Sequence, residues 1–521
     1  MAKNVGRNML LSGASWIIPA AVAFFAVPIT VRGLGANAYG VVALAGAVTG
    51  YLGLLDGGLG NGIVRYLSMF VSLRHGRAMR QLVKFTLAWY AIAGVFGAVV
   101  VWALAPWLAG SLLKIAPSLL RQSAVAFRLG GAAFGLGMIA AMLSYVPAAF
   151  LRYDLKSALT VTLGSISVTG PAVLVTLGYG LVPVMWFAVL ANGVACVCWA
   201  MVAVRLLGNV PNAGPALNEY WGEFVGFSIK NGVNRVWSAV QTPTSQLIVG
   251  IAGGTAQAAY FRIPALISAR VAGLLYQMST VVLPTGSQMA AEGEHSLLLA
   301  LYERVSRLFY VMNASVVGAV AVFSAPLLAH WVGPRYAQEG SATFALLTLA
   351  AGLNAVSMTA SQVNLALGRP GVNLVFSLAN SAINLATVYS LTVAFGITGT
   401  ALSGLLAAAV VPFFLHYSHR KILDVGSWQV FRDCYLRTTL AVVAVSFVSW
   451  FALRPLASGL AITVGLVGVA WAACVLASVA SGAVTGEDWA SLRSALRSAP
   501  HTESPGGRMI PPSMGGGGAD E

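Results

Sequence analysis

Of the chain's 521 residues 58% are hydrophobic and only 9% are charged, whereas an ordinary soluble domain has roughly a quarter of its residues charged, so a soluble globular protein is excluded. Thirty basic residues stand against fifteen acidic ones, but the basic residues fall mostly in short loops between apolar runs, which reads as topology-setting charge and not as a nucleic-acid surface. At about 20 apolar residues per membrane crossing plus a loop, the length holds roughly a dozen or slightly more spans and no sizeable soluble domain.

In chain order, Lys3 and Arg7 precede an apolar run over 9–31 that is too long for a signal peptide and is followed by further spans. It reads as a retained first helix. Spans are predicted at 10–31, 39–68, 83–108, 124–150, 158–180 and 182–205, a first six-helix lobe within 1–208. Residues 209–223, with Pro211, Pro215 and Glu219, read as a cytoplasmic linker. Spans at 224–252, 258–290, 307–332, 340–367, 372–395 and 397–418 make a second six-helix lobe, 224–420. Two more, at 435–456 and 459–483, occupy 421–485. The stretch 486–521 turns Gly- and Pro-rich and reads as a disordered cytoplasmic tail, with a short basic surface helix at 489–497. The expected fold class is therefore an all-α integral membrane protein of about fourteen transmembrane helices.

Arg74, Arg77, Arg80, Lys84, Arg152, Lys156, Arg304, Arg307, Arg369, Arg420 and Lys421 fall on the side shared with Lys3 and Arg7. Lys114, Arg121, Arg335 and Arg454 fall on the other. Both termini are expected in the cytoplasm. The strongest organisational signal is an internal repeat at an offset of about 220 residues: GLGANAYGVVAL (33–44) matches GGTAQAAYFRIPAL (253–266), Pro106 falls on Pro326, and Gly180 falls on Gly396. An even number of spans per unit gives both lobes one orientation and an axis along the membrane normal, the plan of an alternating-access transporter.

Catalytic constellations are not found: there is no HExxH, no P-loop and no Ser, His and Asp set at a recognisable spacing. Cys196, Cys198, Cys434 and Cys474 lack metal-ligand spacing and read as reduced packing residues. Gly135-Leu136-Gly137 before Ala140 is a nominal dinucleotide pattern inside a span, and Asn313-Ala314-Ser315 a nominal glycosylation triplet; both read as helix packing. Glycines recur at four-residue spacing along the second span, for packing or for a bend around Asp56.

Ionisable groups inside spans carry the functional information, because a central charge costs about 2.5 to 3.5 kcal/mol even on a lenient scale. Candidates are Asp56, Arg65, Arg128, Lys230, Arg235, Arg262 and Arg270. Arg65, Arg128 and Arg262 fall near enough to an interface to snorkel. In the seventh span Lys230, Asn234, Gln241 and Ser245 share one helical stripe, with Arg235 and Asn231 on the next. Such a stripe must face protein or water, and its positive field suits phosphate or acidic sugars.

The opening LLSGASWIIPAAVAFFAVPITVRGLGANAYGVVAL (10–44), the segment LGLLDGGLGNGIVRYLS (52–68) and APLLAHWVGPRYA (325–337) together resemble Wzx-type polysaccharide flippases of the multidrug/oligosaccharidyl-lipid/polysaccharide exporter superfamily, over about residues 5–480. The resemblance implies two six-helix lobes like those of the MATE exporters plus two C-terminal helices. It also implies movement of an undecaprenyl-pyrophosphate-linked oligosaccharide repeat unit across a bacterial inner membrane, for O-antigen or exopolysaccharide synthesis. By position Lys230, Arg235 and Arg270 fit the family's cationic lumen, with Asn234, Gln241, Arg128, Arg262 and Arg65 around it, and Asp56 fits coupling to a proton or sodium gradient. No bound cofactor or metal is expected, and the implied partners are the lipid-linked oligosaccharide, membrane lipids, a polysaccharide polymerase and a chain-length regulator. A multidrug or metabolite antiporter of the same fold is the alternative. A membrane glycosyltransferase or polymerase is disfavoured, because neither a large extramembrane loop nor catalytic acids are found.

Overall fold

The computed structural model describes residues 2–208, 210–279 and 282–484, and their side chains except at 2–17, 230–242 and a few positions between 274 and 291. The tail predicted at 486–521 and the surface helix at 489–497 lie outside the described residues. The first half comprises α1 (Ala2–Leu52), α2 (Leu59–Leu73), α3 (Gly76–Trp107), α4 (Pro117–Ala149), α5 (Tyr153–Thr176) and α6 (Leu181–Gly208). The second comprises α7 (Trp221–Ser279), α8 (Val282–Ala291), α9 (His295–Val322), α10 (Ser324–Trp331), α11 (Pro334–Ala366), α12 (Pro370–Ala408) and α13 (Val410–Lys421). The chain continues through α14 (Ser427–Val430), α15 (Arg437–Ala452) and α16 (Leu460–Ala480).

Three of these helices are pairs of crossings joined without a loop. α1 bends at Gly35 (φ 76°), α7 at Gly254 (φ 79°) and α12 at Gly396 (φ 61°), left-handed values that glycine alone adopts without a Cβ penalty. Among the described residues ten stretches are long and apolar enough to span a membrane. Dividing the two that bend, Ile18–Asp56 and Pro370–Lys421, and adding the two limbs of α7 gives fourteen crossings. The chain is an all-helical, multi-pass membrane protein.

The internal repeat is visible in the backbone. Positive-φ residues recur in register as Gly35 and Gly254, Arg74 and Gly293, Lys114 and Gly333, Leu151 and Gly368, and Gly178 and Gly396, each pair 217 to 219 residues apart. The sequence match placed Gly180 on Gly396, and the backbone moves that correspondence to Gly178. Where the second half has glycine, the first half carries arginine, lysine and leucine at three of the turns, each strained by roughly 1–2 kcal/mol.

Several helices begin well before the apolar run that revealed them: α3 at Gly76 and not 83, α9 at His295 and not 307, α11 at Pro334 and not 340. Apolar runs mark the hydrocarbon layer, whereas a helix continues through the interface as long as its backbone bonds close. The second span is not continuous. It breaks in a 3-10 turn at Gly53–Asp56 followed by left-handed Gly57 and Gly58, and resumes as α2.

Lipid supplies no hydrophobic drive between helices, so they associate through close packing of small residues. Gly94 on α3 faces Gly135 on α4 backbone to backbone, and a Cβ added at Gly94 would lie 2.8 Å from the Gly135 carbonyl oxygen. The glycines of the nominal dinucleotide pattern are thus packing residues, and Asn313 donates from Nδ2 to the buried Gly352 carbonyl (2.9 Å) within the second half. Gly94→Leu forces α3 from α4 and should destabilise the protein by about 1–3 kcal/mol, read as a lowered melting temperature in detergent. Wild-type melting would show that the helices are not held this closely.

Candidate functional site

The halves meet along the limbs of α1 and α7 that run from the two bends. Gly40 lies directly against the Thr255 backbone, leaving no space for a side chain. Thr255 donates to Asn37 Oδ1 (3.0 Å), and Leu44 packs on Gly250. Arg32 donates from Nε to the carbonyl of Val332 (3.0 Å) and from Nη2 to those of His330 (3.1 Å) and Trp331 (2.9 Å). The Trp331 indole in turn donates to the Phe24 carbonyl (2.6 Å), its ring stacked on Phe24. A core including Val41, Leu44, Val249, Tyr260, Leu328 and Trp331 spans both halves at this end.

At the opposite end α2 packs on α3, α4 and the first turns of α7, while α8 packs on α9 and α11. Tyr66 and Phe224 meet edge to face, with centroids 5.5 Å apart, and Gly62 fits against Ser228 and Phe224. The linker predicted at 209–223 is bound to the start of α3: Arg80 donates to the Val210 carbonyl (2.8 Å), Gln81 accepts from the Leu217 amide (2.7 Å), and Gly76 lies against the Pro211 carbonyl. Its last residues, Trp221 to Glu223, already belong to α7.

Arg65 is exposed on α2, its guanidinium 4.5 Å from the centroid of Phe227 on α7. Arg270 is exposed on the second limb of α7, and Arg262, about two turns past Gly254, is partly buried. Arg128 lies against Trp102 of α3, 4.9 Å from the ring centroid, with its buried Nε making no hydrogen bond. Lys230, Asn234, Arg235 and Gln241 belong to α7, but their side chains lie outside the described residues. Asp56, in the break of the second span, accepts a hydrogen bond from the buried Tyr90 hydroxyl. Next to it Trp89 donates to the Leu55 carbonyl (3.2 Å) and Gly60 packs on Tyr145. The bend around Asp56 and the packing role of the glycines therefore coexist.

Two cavities accompany this arrangement. One of about 550 Å³ lies within the first half, lined by Gly46, Thr49, Gly50, Gly130, Phe134 and Asn192, none of them charged. The other, about 620 Å³, is an apolar groove between α9, α11 and α15, bordered by Val317, Gly318, Leu353, Val442 and Phe447. Arg32 was not among the candidates read from sequence, because its acceptors are backbone oxygens some 300 residues away. The one available signal was that it falls inside the first of the quoted motifs and its acceptors inside the last.

Neither a protein-family model nor a curated protein matches this sequence. Solved structures of similar fold do. A lipid II flippase, MurJ, in an inward closed conformation superposes with a TM-score of 0.70 at 12% identity, over 92% of this chain and 100% of that one. An inward-facing multidrug resistance transporter of the MATE family, in the MOP superfamily, gives 0.63 at 15% identity over 78% and 99%. A MOP superfamily transporter from Pyrococcus furiosus, described as having a binding pocket of reversed polarity, gives 0.57 at 15% over 80% and 96%. At these identities the likeness shows the fold, which is that of the MOP superfamily transporters.

The Asp56 geometry separates a structural acid from a coupling one. Asp56→Asn keeps an acceptor for Tyr90 and should retain folded yield, whereas Asp56→Leu removes that acceptor from the buried hydroxyl at a cost of about 1.5–3 kcal/mol, the worth of a hydrogen bond to a charged group. Melting of both variants in detergent checks this. A large loss in Asp56→Asn itself would mean that the carboxylate's charge holds the break together.

Proposed function

We propose that this protein is a flippase that carries an undecaprenyl-pyrophosphate-linked oligosaccharide across a bacterial inner membrane by alternating access, for assembly of a surface polysaccharide such as O-antigen or exopolysaccharide. The supporting observation is the sign of the exposed intramembrane charge. Arg65 and Arg270 are exposed on α2 and on α7, one from each half, while Asp56 is engaged by Tyr90. A charged side chain exposed within the hydrocarbon layer is costly, so these positions favour a hydrated path, and a positive path favours an anionic headgroup. Lys230 and Arg235, by their spacing on α7, would add to the same field.

The extent of the structural likeness supports a lipid-linked cargo over a drug. The match to the lipid II flippase reaches 92% of the chain, against 78% for the multidrug transporter. The apolar groove beside α15 offers a polyisoprenyl tail a surface next to the bilayer. Loop charge places the end carrying Arg74, Arg77, Arg152, Arg304, Arg369 and Arg420 in the cytoplasm. On that orientation the contacts of Arg32, Asn37 and Thr255 close the periplasmic side, and both termini are cytoplasmic. A proton or sodium gradient as energy source, and a polymerase and chain-length regulator as downstream partners, complete the proposal; no bound cofactor or metal is invoked.

Complementation of a flippase-deficient strain, with membrane abundance measured in parallel, tests the charge. Arg235→Ala and Arg270→Ala should each reduce surface glycan about tenfold to a hundredfold, the worth of one charge-assisted contact. Glutamate at either position should be worse, and Arg235→Lys should restore export only in part, because the bidentate fork is lost. Full export by Arg235→Glu and Arg270→Glu would refute an anionic cargo and favour the antiporter.

A further inference from the structure

Two of the sequence motifs quoted above, one in α1 and one around α10, are joined by a single side chain. The three oxygens that Arg32 binds, those of His330, Trp331 and Val332, end α10. Helix-terminal carbonyls have no partner within their own helix and carry the negative end of its dipole, so a cation is favoured there. Arg32 belongs to the first half and α10 to the second, so these bonds hold only while the halves are closed at this end. The neighbouring Phe24–Trp331 stack and the Asn37–Thr255 bond share that condition.

The contact breaks the molecule's internal symmetry. The 219-residue register of Gly35 with Gly254 and Lys114 with Gly333 places Ile251 where the first half has Arg32, and Leu113 where the second has Val332. There the join is apolar: a Cβ on Gly250, beside Ile251, would meet the Leu113 side chain at 3.3 Å. Apolar packing thus suffices to close one of the two related joins, and the guanidinium at the other does something packing does not. Arg32 also remains exposed, and its bonds use Nε and Nη2 only, so Nη1 stays open to an approaching anion.

We propose that Arg32 is a cargo-responsive latch: it holds the two halves shut through the α10 carbonyls, and the phosphate of the departing headgroup takes over its guanidinium and so releases them. A phosphate offers charged, bidentate acceptors roughly twice as strong as neutral carbonyls, and the exchange leaves the carbonyls to water as the end opens. The cargo's charge in this step rests on the function proposed above; the latch itself does not.

The test uses the full-length protein in nanodiscs, its four native cysteines changed to alanine and Asn37→Cys with Thr255→Cys introduced, so that disulfide yield reports closure. Arg32→Ala and Arg32→Gln should lower the closed-to-open ratio about tenfold, the scale of one charge-assisted hydrogen bond. If Arg32→Ala does not fold, Arg32→Lys, which keeps the charge without the fork, should lower it in part. Undecaprenyl pyrophosphate should reduce disulfide yield when Arg32 is present and leave Arg32→Gln unchanged, whereas undecaprenol should have no effect on either. A response to inorganic pyrophosphate at matched ionic strength would show that the headgroup acts without its tail. Unchanged cross-linking in every Arg32 variant overturns the latch. An equal response to undecaprenol and its pyrophosphate overturns the hand-over to phosphate. Charge reversal at Arg270 is scored by export and not by closure, so failure of the latch and failure of the anionic-cargo reading are told apart.

Discussion

Within a bilayer no water is present to satisfy an open amide or carbonyl, so a chain that crosses it stays helical through the hydrocarbon and reverses direction at its edges. That constraint organises this protein. Its turns are short and left-handed, the positive-φ residue returning the chain through bonds to the last carbonyls of the preceding helix, as at Arg74, whose amide binds the Phe70 and Val71 carbonyls. At Gly35, Gly254 and Gly396 the reversal takes place without any loop. Because these positions are set by backbone geometry, they persist at a spacing of 217 to 219 residues although the surrounding side chains have diverged. The two halves are alike in their turns first and in their residues second.

Close approach follows from the same solvent. Helices in lipid gain nothing from hiding apolar area, so contacts such as Gly94 with Gly135 and Gly40 with Thr255 rely on backbones coming within van der Waals reach. The two differ in consequence. Gly94 and Gly135 lie in one half and stay together, whereas Gly40 and Thr255 lie in different halves and must part if the halves rock. The interface between the halves is thus built from the same small-residue chemistry as those within them, and like them it carries polar bonds, among them Arg32 to three carbonyls and Thr255 to Asn37.

The spans and the repeat were legible in the sequence because hydrocarbon thickness and a duplicated fold both leave long-wavelength patterns: apolar runs of a set length, and motifs such as those at 33–44 and 253–266 recurring at an offset of about 220 residues. Helix starts were not legible, since residues 295–306 of α9 mix charged and apolar side chains and carry no membrane signal although they are helical. The break of the second span was half legible, through Gly57 and Gly58 crowding Asp56. Its partner was not, because Tyr90 lies a full helix away. Arg32 illustrates the limit more sharply. It falls just past the predicted end of the first span, and only the fold reveals that it ends on α10. The α7 stripe of Lys230, Asn234 and Gln241 is the reverse case, a clear pattern in sequence whose side chains lie outside the described residues.

The basic residues inside the spans are best weighed by what each already has. Arg128 has Trp102, and a cation over an aromatic face recovers about 0.5–1 kcal/mol or more when desolvated; its position on α4 is accounted for without cargo. Arg65 has Phe227 as well, but it is exposed and sits where α2 of the first half meets α7 of the second. Arg32 has three carbonyls, all of them in the other half. Sorted this way, Arg65 is a cation that lies exposed where α2 of one half meets α7 of the other. On the function proposed above, an anionic headgroup passing there would meet it, and the contact is favourable where the bidentate bonds of the guanidinium repay the desolvation of both charges.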